Sequence, residues 1–115
     1  MNTVSRSHSL MHYQWGDACD GWNFVDEGEL SIKLESMPGR TEEVLHYHRY
    51  AQQFFFILKG EAAFEVDGKI VLVHEKEGLH IKANEKHRII NNSEGELEFI
   101  LCSQPSTKND RINIG

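Results

Sequence analysis

Cysteine is scarce: Cys19 and Cys102 are the only thiols among 115 residues. Two distant cysteines do not build a disulfide framework, and neither belongs to a CxxC pair, so a thiolate zinc site or a thioredoxin-type redox centre has no basis. Both read as reduced thiols, Cys102 as a small apolar filler of a strand rather than a nucleophile. A block of Lys and Arg is also missing. The 12 basic residues are scattered against 18 acidic ones, for a formal net charge of -6, which offers no track for a phosphate backbone, and nucleic acid is not an expected partner. No DNA-binding helices flank the central region. Long hydrophobic runs are absent too: the opening MNTVSRSHSLMHYQW holds no signal-peptide core and no later segment spans a membrane, so no membrane association and a cytoplasmic location are the default expectations. There is no internal repeat, and helical periodicity is weak. What is present, 39% apolar and 26% charged residues, suits a single soluble globular domain.

From residue 29 onward, apolar segments of strand length alternate with turn signals every eight to twelve residues, the pattern of an all-β sandwich or barrel. ELSIKLES sets Leu30, Ile32 and Leu34 on one face against charged residues on the other, and MPGR then breaks the strand. EVLHYH follows, then QFFFILKG, apolar on both faces and ended by Gly60. AAFEVDGKIVLV predicts a hairpin, with Asp67 and Gly68 at the two positive-φ positions of a type I′ turn. GLHIK, HRIIN and ELEFILCS predict further strands, parted by the ANEK and NSEGE turns. The expected organisation is an N-terminal arm over 1–28 without assigned structure, a barrel over 29–104 and a polar surface tail over 105–115.

The stretch HYHRYAQQ, residues 46–53, is an odd entry into an apolar strand. Polar side chains in a buried strand must each find a hydrogen bond or a metal. Residues two apart on a strand share a face, so His46 and His48 project together with Tyr47 opposite. Gln53 opens the adjacent run, and His87 opens HRIIN after a turn. Four candidate ligands therefore lie near strand starts, which an antiparallel barrel can gather at one end. Imidazole and amide oxygen suit one divalent transition metal, Zn, Ni, Fe, Mn or Co, and four protein ligands on an octahedral ion leave two positions for water or substrate. Gln52 is the alternative amide, but it points to the face opposite Gln53 if the strand has already begun.

The order Gly39, His46, His48, Gln53, Gly60, then Gly78, His87 and Asn91 resembles the two motifs of the cupin superfamily, over residues 30–103. The resemblance implies an RmlC-like double-stranded β-helix, a jelly-roll-like barrel, commonly a homodimer, with a mononuclear metal at its centre. Two departures stand out. KANEKH replaces the common PPGxxH, a change in a turn that Asn84 can enter because Asn tolerates positive φ. Gln53 stands where most cupins have Glu. A neutral ligand leaves the metal about one unit more positive, which favours Lewis-acid work over a higher oxidation state. The site is also similar, at its four ligand positions, to cupins that linearise unsaturated uronates. The expected function is therefore a metal-dependent isomerase or lyase acting on a small carbohydrate-derived or other polar substrate. The alternatives are an iron-dependent dioxygenase, a non-catalytic small-ligand-binding cupin and a metal-free barrel with hydrogen-bonded histidines.

Further residues carry secondary expectations. His12 is a candidate acid or base reaching over the barrel mouth, or a surface histidine on an arm. His8, His74 and His80 read as ordinary residues. Phe55 and Ile57 share the parity of Gln53 and should line the interior, whereas Phe54, Phe56 and Leu58 face outward against a sheet or a second subunit. In the last strand either Ile100 and Cys102 or Phe99 and Leu101 face inward, and the sequence leaves this open. Trp15, Trp22 and Tyr50 are candidate ligand walls, and Arg111 is a candidate partner for a substrate carboxylate.

Overall fold

The computed structural model describes residues 3–114, which fold as two antiparallel sheets packed face to face in an all-β jelly-roll barrel. One sheet runs in the order β1 (Met11–Trp15), β2 (Cys19–Asp26), β3 (Ser31–Met37), β11 (Leu97–Gln104), β6 (Gln52–Lys59), β9 (Gly78–Ile81). The other runs β12 (Arg111–Asn113), β5 (His46–His48), β10 (His87–Asn91), β7 (Ala62–Val66), β8 (Lys69–Val73), with the short β4 (Thr41–Glu42) also pairing with β10. The described residues hold no helix long and apolar enough to cross a membrane.

Local chemistry accounts for most boundaries. The β7–β8 hairpin closes between Val66 and Lys69, with Asp67 and Gly68 at φ 48° and 84°, as the Asp-Gly pair predicts. Asn84 takes φ 71° in the turn before β10, the conformation that a short polar side chain tolerates best after glycine. In β6, Gln53, Phe55 and Ile57 are buried while Gln52, Phe54 and Leu58 are exposed; the inward parity is the expected one. Fully buried Phe64 and Phe99 pack around Phe55, with ring centroids 4.9 and 5.7 Å from it. Truncating either to Ala should cost ~3–5 kcal/mol.

Three features differ from the sequence reading. Residues before 29 form β1 and β2, which extend the first sheet by two strands. The tail is more than a surface crossing: Arg111–Asn113 pairs with β5, anchored by the Asp110 carboxylate, which accepts the backbone N–H groups of Arg49, Tyr50 and Ala51 at 2.9–3.1 Å. And β3 turns its charged face inward. Lys33 and Glu35 line an interior cavity, while Leu34 pairs outside with Trp22 and Ile100, and Ile32 with Cys102. Apolar alternation identified the strand but not its inner side, because the outer face of this sheet is itself apolar. The same register settles β11: Phe99 and Leu101 are buried inside, and Ile100 and Cys102 lie on the outer face.

Candidate metal centre

His46 and His48 enter the barrel from β5, with Tyr47 on the opposite side. His87 begins β10 directly across from His46, so the antiparallel pairing itself brings the two motifs together. The rings lie 4.3 Å (His46–His87), 5.0 Å (His46–His48) and 5.7 Å (His48–His87) apart, centroid to centroid. One ligand atom from each lies within 4.8 Å of the others, a grouping able to hold a metal ion. Gln53 arrives from the other sheet, 5% exposed, with Oε1 3.1 Å from His87 Nε2 and its amide N–H donating to Ser103 Oγ at 3.1 Å. Gln52 points outward, where it bonds Gln104 and His80.

Hydrogen bonding sets the tautomers. A backbone carbonyl only accepts, so His46 Nδ1–H donates to Val44 O and His87 Nδ1–H to Glu85 O, both at 2.8 Å. Their Nε2 lone pairs are thereby aimed at the interior, the usual orientation of metal-binding imidazoles. His48 Nδ1 is buried without a hydrogen-bond partner. Burial lowers all three histidine pKa values. His46 falls to about 3, by burial first and then by His87 and Arg111. His48 falls to about 4, by burial and then by the other two imidazoles, and His87 also falls, chiefly by burial. All three are neutral near pH 7, the state that binds metal.

This donor set fits a divalent transition metal. With Nδ1–H committed to Glu85, a neutral His87 presents an Nε2 lone pair to the Gln53 carbonyl oxygen, and two acceptors face each other at 3.1 Å. A cation held by both would relieve that contact, with His46 and His48 as the remaining imidazole donors.

Beside the histidines lies a cavity of about 240 Å³, walled on the first sheet by Tyr13, Trp15, Lys33 and Glu35. Phe55, Ile89 and Leu101 form its apolar floor. Arg111 also reaches it, paired with Glu43 at 2.9 Å. Glu43 itself lies 3.8 Å from His46 Nδ1. Burial raises the pKa of Glu43, opposed by Arg111, and burial raises Glu35 to about 7, opposed by a hydrogen bond from Tyr13. The Tyr13 phenol is pushed far up, by burial and then by Glu35, and stays protonated.

Of the secondary candidates, Trp15 and Arg111 reach the cavity. His12 does not: it stacks on Trp22 with centroids 5.1 Å apart and bonds Asp20 on the outer side of β1. Tyr50 is 74% exposed, and burial raises the Cys102 thiol pKa, which leaves the thiol unreactive. Sequence reasoning missed Tyr13, Lys33, Glu35 and Glu43. The one available signal was QFFFILKG and ELEFILCS, apolar on both faces, which warns that apolar parity does not mark the inside of this sheet.

The fold and the site define a small jelly-roll β-barrel with three interior histidines, a grouping able to hold a metal ion, beside a polar cavity. The family model for the cupin domain matches residues 32–103, and the chain belongs to that family. A curated relative, the polyketide synthase CurC of Streptomyces cyaneus, is 27% identical over 60 residues, 52% of this chain and 39% of that protein; the match spans well under half the length of that relative. Among solved structures, KdgF from Halomonas sp. has a TM-score of 0.82 at 11% identity, covering 93% of this chain and 94% of its own. An RmlC-like cupin from Shewanella frigidimarina has 0.81 at 16%, covering 95% of each. A Streptomyces PAC13 variant with uridine has 0.82 at 11%, covering 100% of this chain and 92% of its own. At these identities the likeness concerns the fold.

Proposed function

We propose that this cupin is a metal-dependent isomerase or lyase acting on a small, anionic, carbohydrate-derived substrate, with His46, His48, Gln53 and His87 as ligands of one divalent transition metal. The observation that carries the reading is the opposed lone pairs of His87 and Gln53 beside two further neutral, buried imidazoles. When bound, the metal supplies Lewis-acid polarisation of a carbonyl or hydroxyl oxygen. The all-neutral ligand set favours that chemistry over a dioxygenase, whose turnover would stop without oxygen. Lys33 makes no ion pair among the described residues and faces the cavity, so it is available to a substrate carboxylate. Arg111 is held by Glu43 and shapes the same wall. The PAC13 structure holds uridine, a polar, ribose-bearing molecule, which supports a carbohydrate-derived ligand here.

A second copy of the chain is the expected partner. The outer face of the first sheet carries two apolar rows, Trp22–Leu34–Ile100–Phe56 and Ile32–Cys102–Phe54, of which Phe54 is 43% exposed. Trp22 and Leu34 are already buried within the chain, so a homodimer would cover the half-buried Ile32, Phe56, Ile100 and Cys102 and the exposed Phe54.

The rival is a metal-free binding barrel, in which the Gln53 amide is turned over so that its N–H donates to His87 Nε2. Elemental analysis of untagged protein decides between them. The metal reading expects about one ion per chain in the wild type and loss in His48→Ala, whereas the rival expects a wild-type stoichiometry far below one. A protein that holds metal yet leaves sugar acids, keto acids and phenols unchanged would be a binding module.

A further inference from the structure

The cavity wall opposite the histidines contains a second pair of groups that metal binding does not use. In the register of the first sheet, Tyr13 pairs with Gly21 and Gly21 with Glu35. Tyr13 and Glu35 are thus two strands apart, yet the phenol donates a hydrogen bond to Glu35 Oε2. The reach is possible because β2 has no side chain at this point: a β-carbon at Gly21 would collide with the Tyr13 ring and hydroxyl. Glu35 is 8% exposed and borders the cavity together with Tyr13. The carboxyl is held by this one donor, and its other oxygen makes no protein hydrogen bond among the described residues, which leaves it free to meet a ligand in the cavity.

We propose that Glu35 is the proton-transferring residue of this cavity, with Tyr13 as its positioning residue across the gap at Gly21. This rests on the cavity being the reaction site, as argued above. For an enolisable sugar acid, the Glu35 carboxylate takes a proton from the carbon next to the carbonyl. The C–H bond breaks, its electron pair moves onto the carbonyl oxygen as an enolate, and an O–H bond forms on Glu35. For isomerisation, the hydroxyl proton on that first carbon passes to the enolate oxygen while Glu35 returns its proton to the former carbonyl carbon, which moves the carbonyl by one position. For elimination, the carbonyl re-forms as the bond from the β-carbon to its hydroxyl breaks, and Glu35 protonates the departing hydroxyl to water. Neither route needs an oxidant or reductant. The Tyr13 O–H stabilises the carboxylate form and fixes which oxygen faces the substrate.

The charged and titratable groups around Glu35 are Tyr13 on β1, Cys19 on β2, Lys33 on β3, Glu43 after β4 and Arg111 on β12. Burial and the Glu43 carboxylate favour the neutral acid, and the Tyr13 hydrogen bond, Lys33 and Arg111 pull the other way. Both protonation states are therefore accessible near neutrality, as a group that gives and takes a proton requires.

The test uses the full-length protein with carbon-13 at the glutamate carboxyl, the Glu35 resonance being the one lost in Glu35→Gln. Its titration midpoint should lie near neutrality, and Tyr13→Phe should raise it by removing the donor. Gly21→Ala, which keeps both residues but forces the Tyr13 ring away from the crossing, should raise it in the same way. An ordinary carboxylate midpoint that neither variant moves overturns the proposal. In parallel, deuterium uptake from heavy water at the carbon next to the carbonyl is followed for galacturonate, glucuronate and their keto-acid isomers. Glu35→Gln should slow uptake roughly 100-fold or more with metal content unchanged, and wild-type uptake by that variant overturns the proposal. His48→Ala, which should lose metal and leave the Glu35 midpoint near neutrality, separates failure of the metal site from failure of this pair. If no compound exchanges with the wild type, the substrate class is wrong and the carboxyl titration alone decides.

Discussion

At the scale of the residue, the cavity is built from groups whose ordinary charge has been displaced by burial. Neutral His46 and His48 refuse protons until about pH 3 and about pH 4, whereas in the unfolded chain they accept them near 6.5. Below about 6.5 the unfolded state therefore binds more protons, and the stability of the metal-free protein should fall as pH falls. Glu35 works in the opposite direction. Its carboxyl stays protonated to about 7 against a usual 4.5, so the folded state carries the extra proton and stability is lost as pH rises through that window. The stability of Glu35→Gln relative to wild type should accordingly increase with pH between those limits, by up to ~3 kcal/mol. Urea unfolding midpoints collected across that range check both signs, and a difference that stays flat would mean that Glu35 ionises as easily in the fold as in the open chain.

At the scale of the element, the site depends on turns that hold strand ends in place. Asn91, at the end of β10, donates its amide N–H groups to the carbonyls of Met37, Pro38 and Gly95 at 2.9–3.1 Å and accepts from Ser93 at 2.8 and 3.1 Å. One side chain thereby clamps the turn after β3 to the turn before β11. Gly39 permits the approach, since a β-carbon there would strike the Glu94 carbonyl. Replacing Asn91 with Ala strands buried carbonyls and should cost on the order of 2–4 kcal/mol, read as a lower denaturation midpoint. The motif glycine and asparagine were legible in the sequence, and so were the hairpin at Asp67 and Gly68 and the parity of Gln53. Two elements were not. The strands β1 and β2 carry no clean alternation, because Gly21 interrupts β2 and polar Asp20 and Asn23 lie within it. The strand β12 is only three residues long and exists because β5 offers it an open edge.

At the scale of the whole molecule, the proposed ion and the proposed second subunit would each add to the stability of the barrel. A ligand that binds only the folded state stabilises it through RT ln(1 + [L]/Kd), or about 2.7 kcal/mol at one hundred times Kd. Stripping the protein with a chelator should therefore lower Tm, readdition of the correct metal should restore it, and His48→Ala should respond to neither. Calorimetry reads all three. The dimer is tested in the same samples by sedimentation: the wild type should run as two copies, and Phe54→Glu with Phe56→Glu, which places charge in the apolar rows of the outer face, should run as one.

The sequence by itself determined the period-two strands, the chemistry of the turns and the four ligand candidates, because these follow from alternation, from backbone preference and from residue type within a few positions. It did not determine which face of β3 looks inward. Ile32 and Leu34 compete with Lys33 and Glu35 for the interior, and the outcome depends on the apolar outer face contributed by Trp22, Ile100 and Phe56 from other strands. Nor could any local pattern join Tyr13 to Glu35, since they meet only when β2 lies between them and presents a glycine at the crossing. Pairing across a sheet is set by the packing of the entire barrel, and it was there that the proton-carrying wall of the cavity was decided.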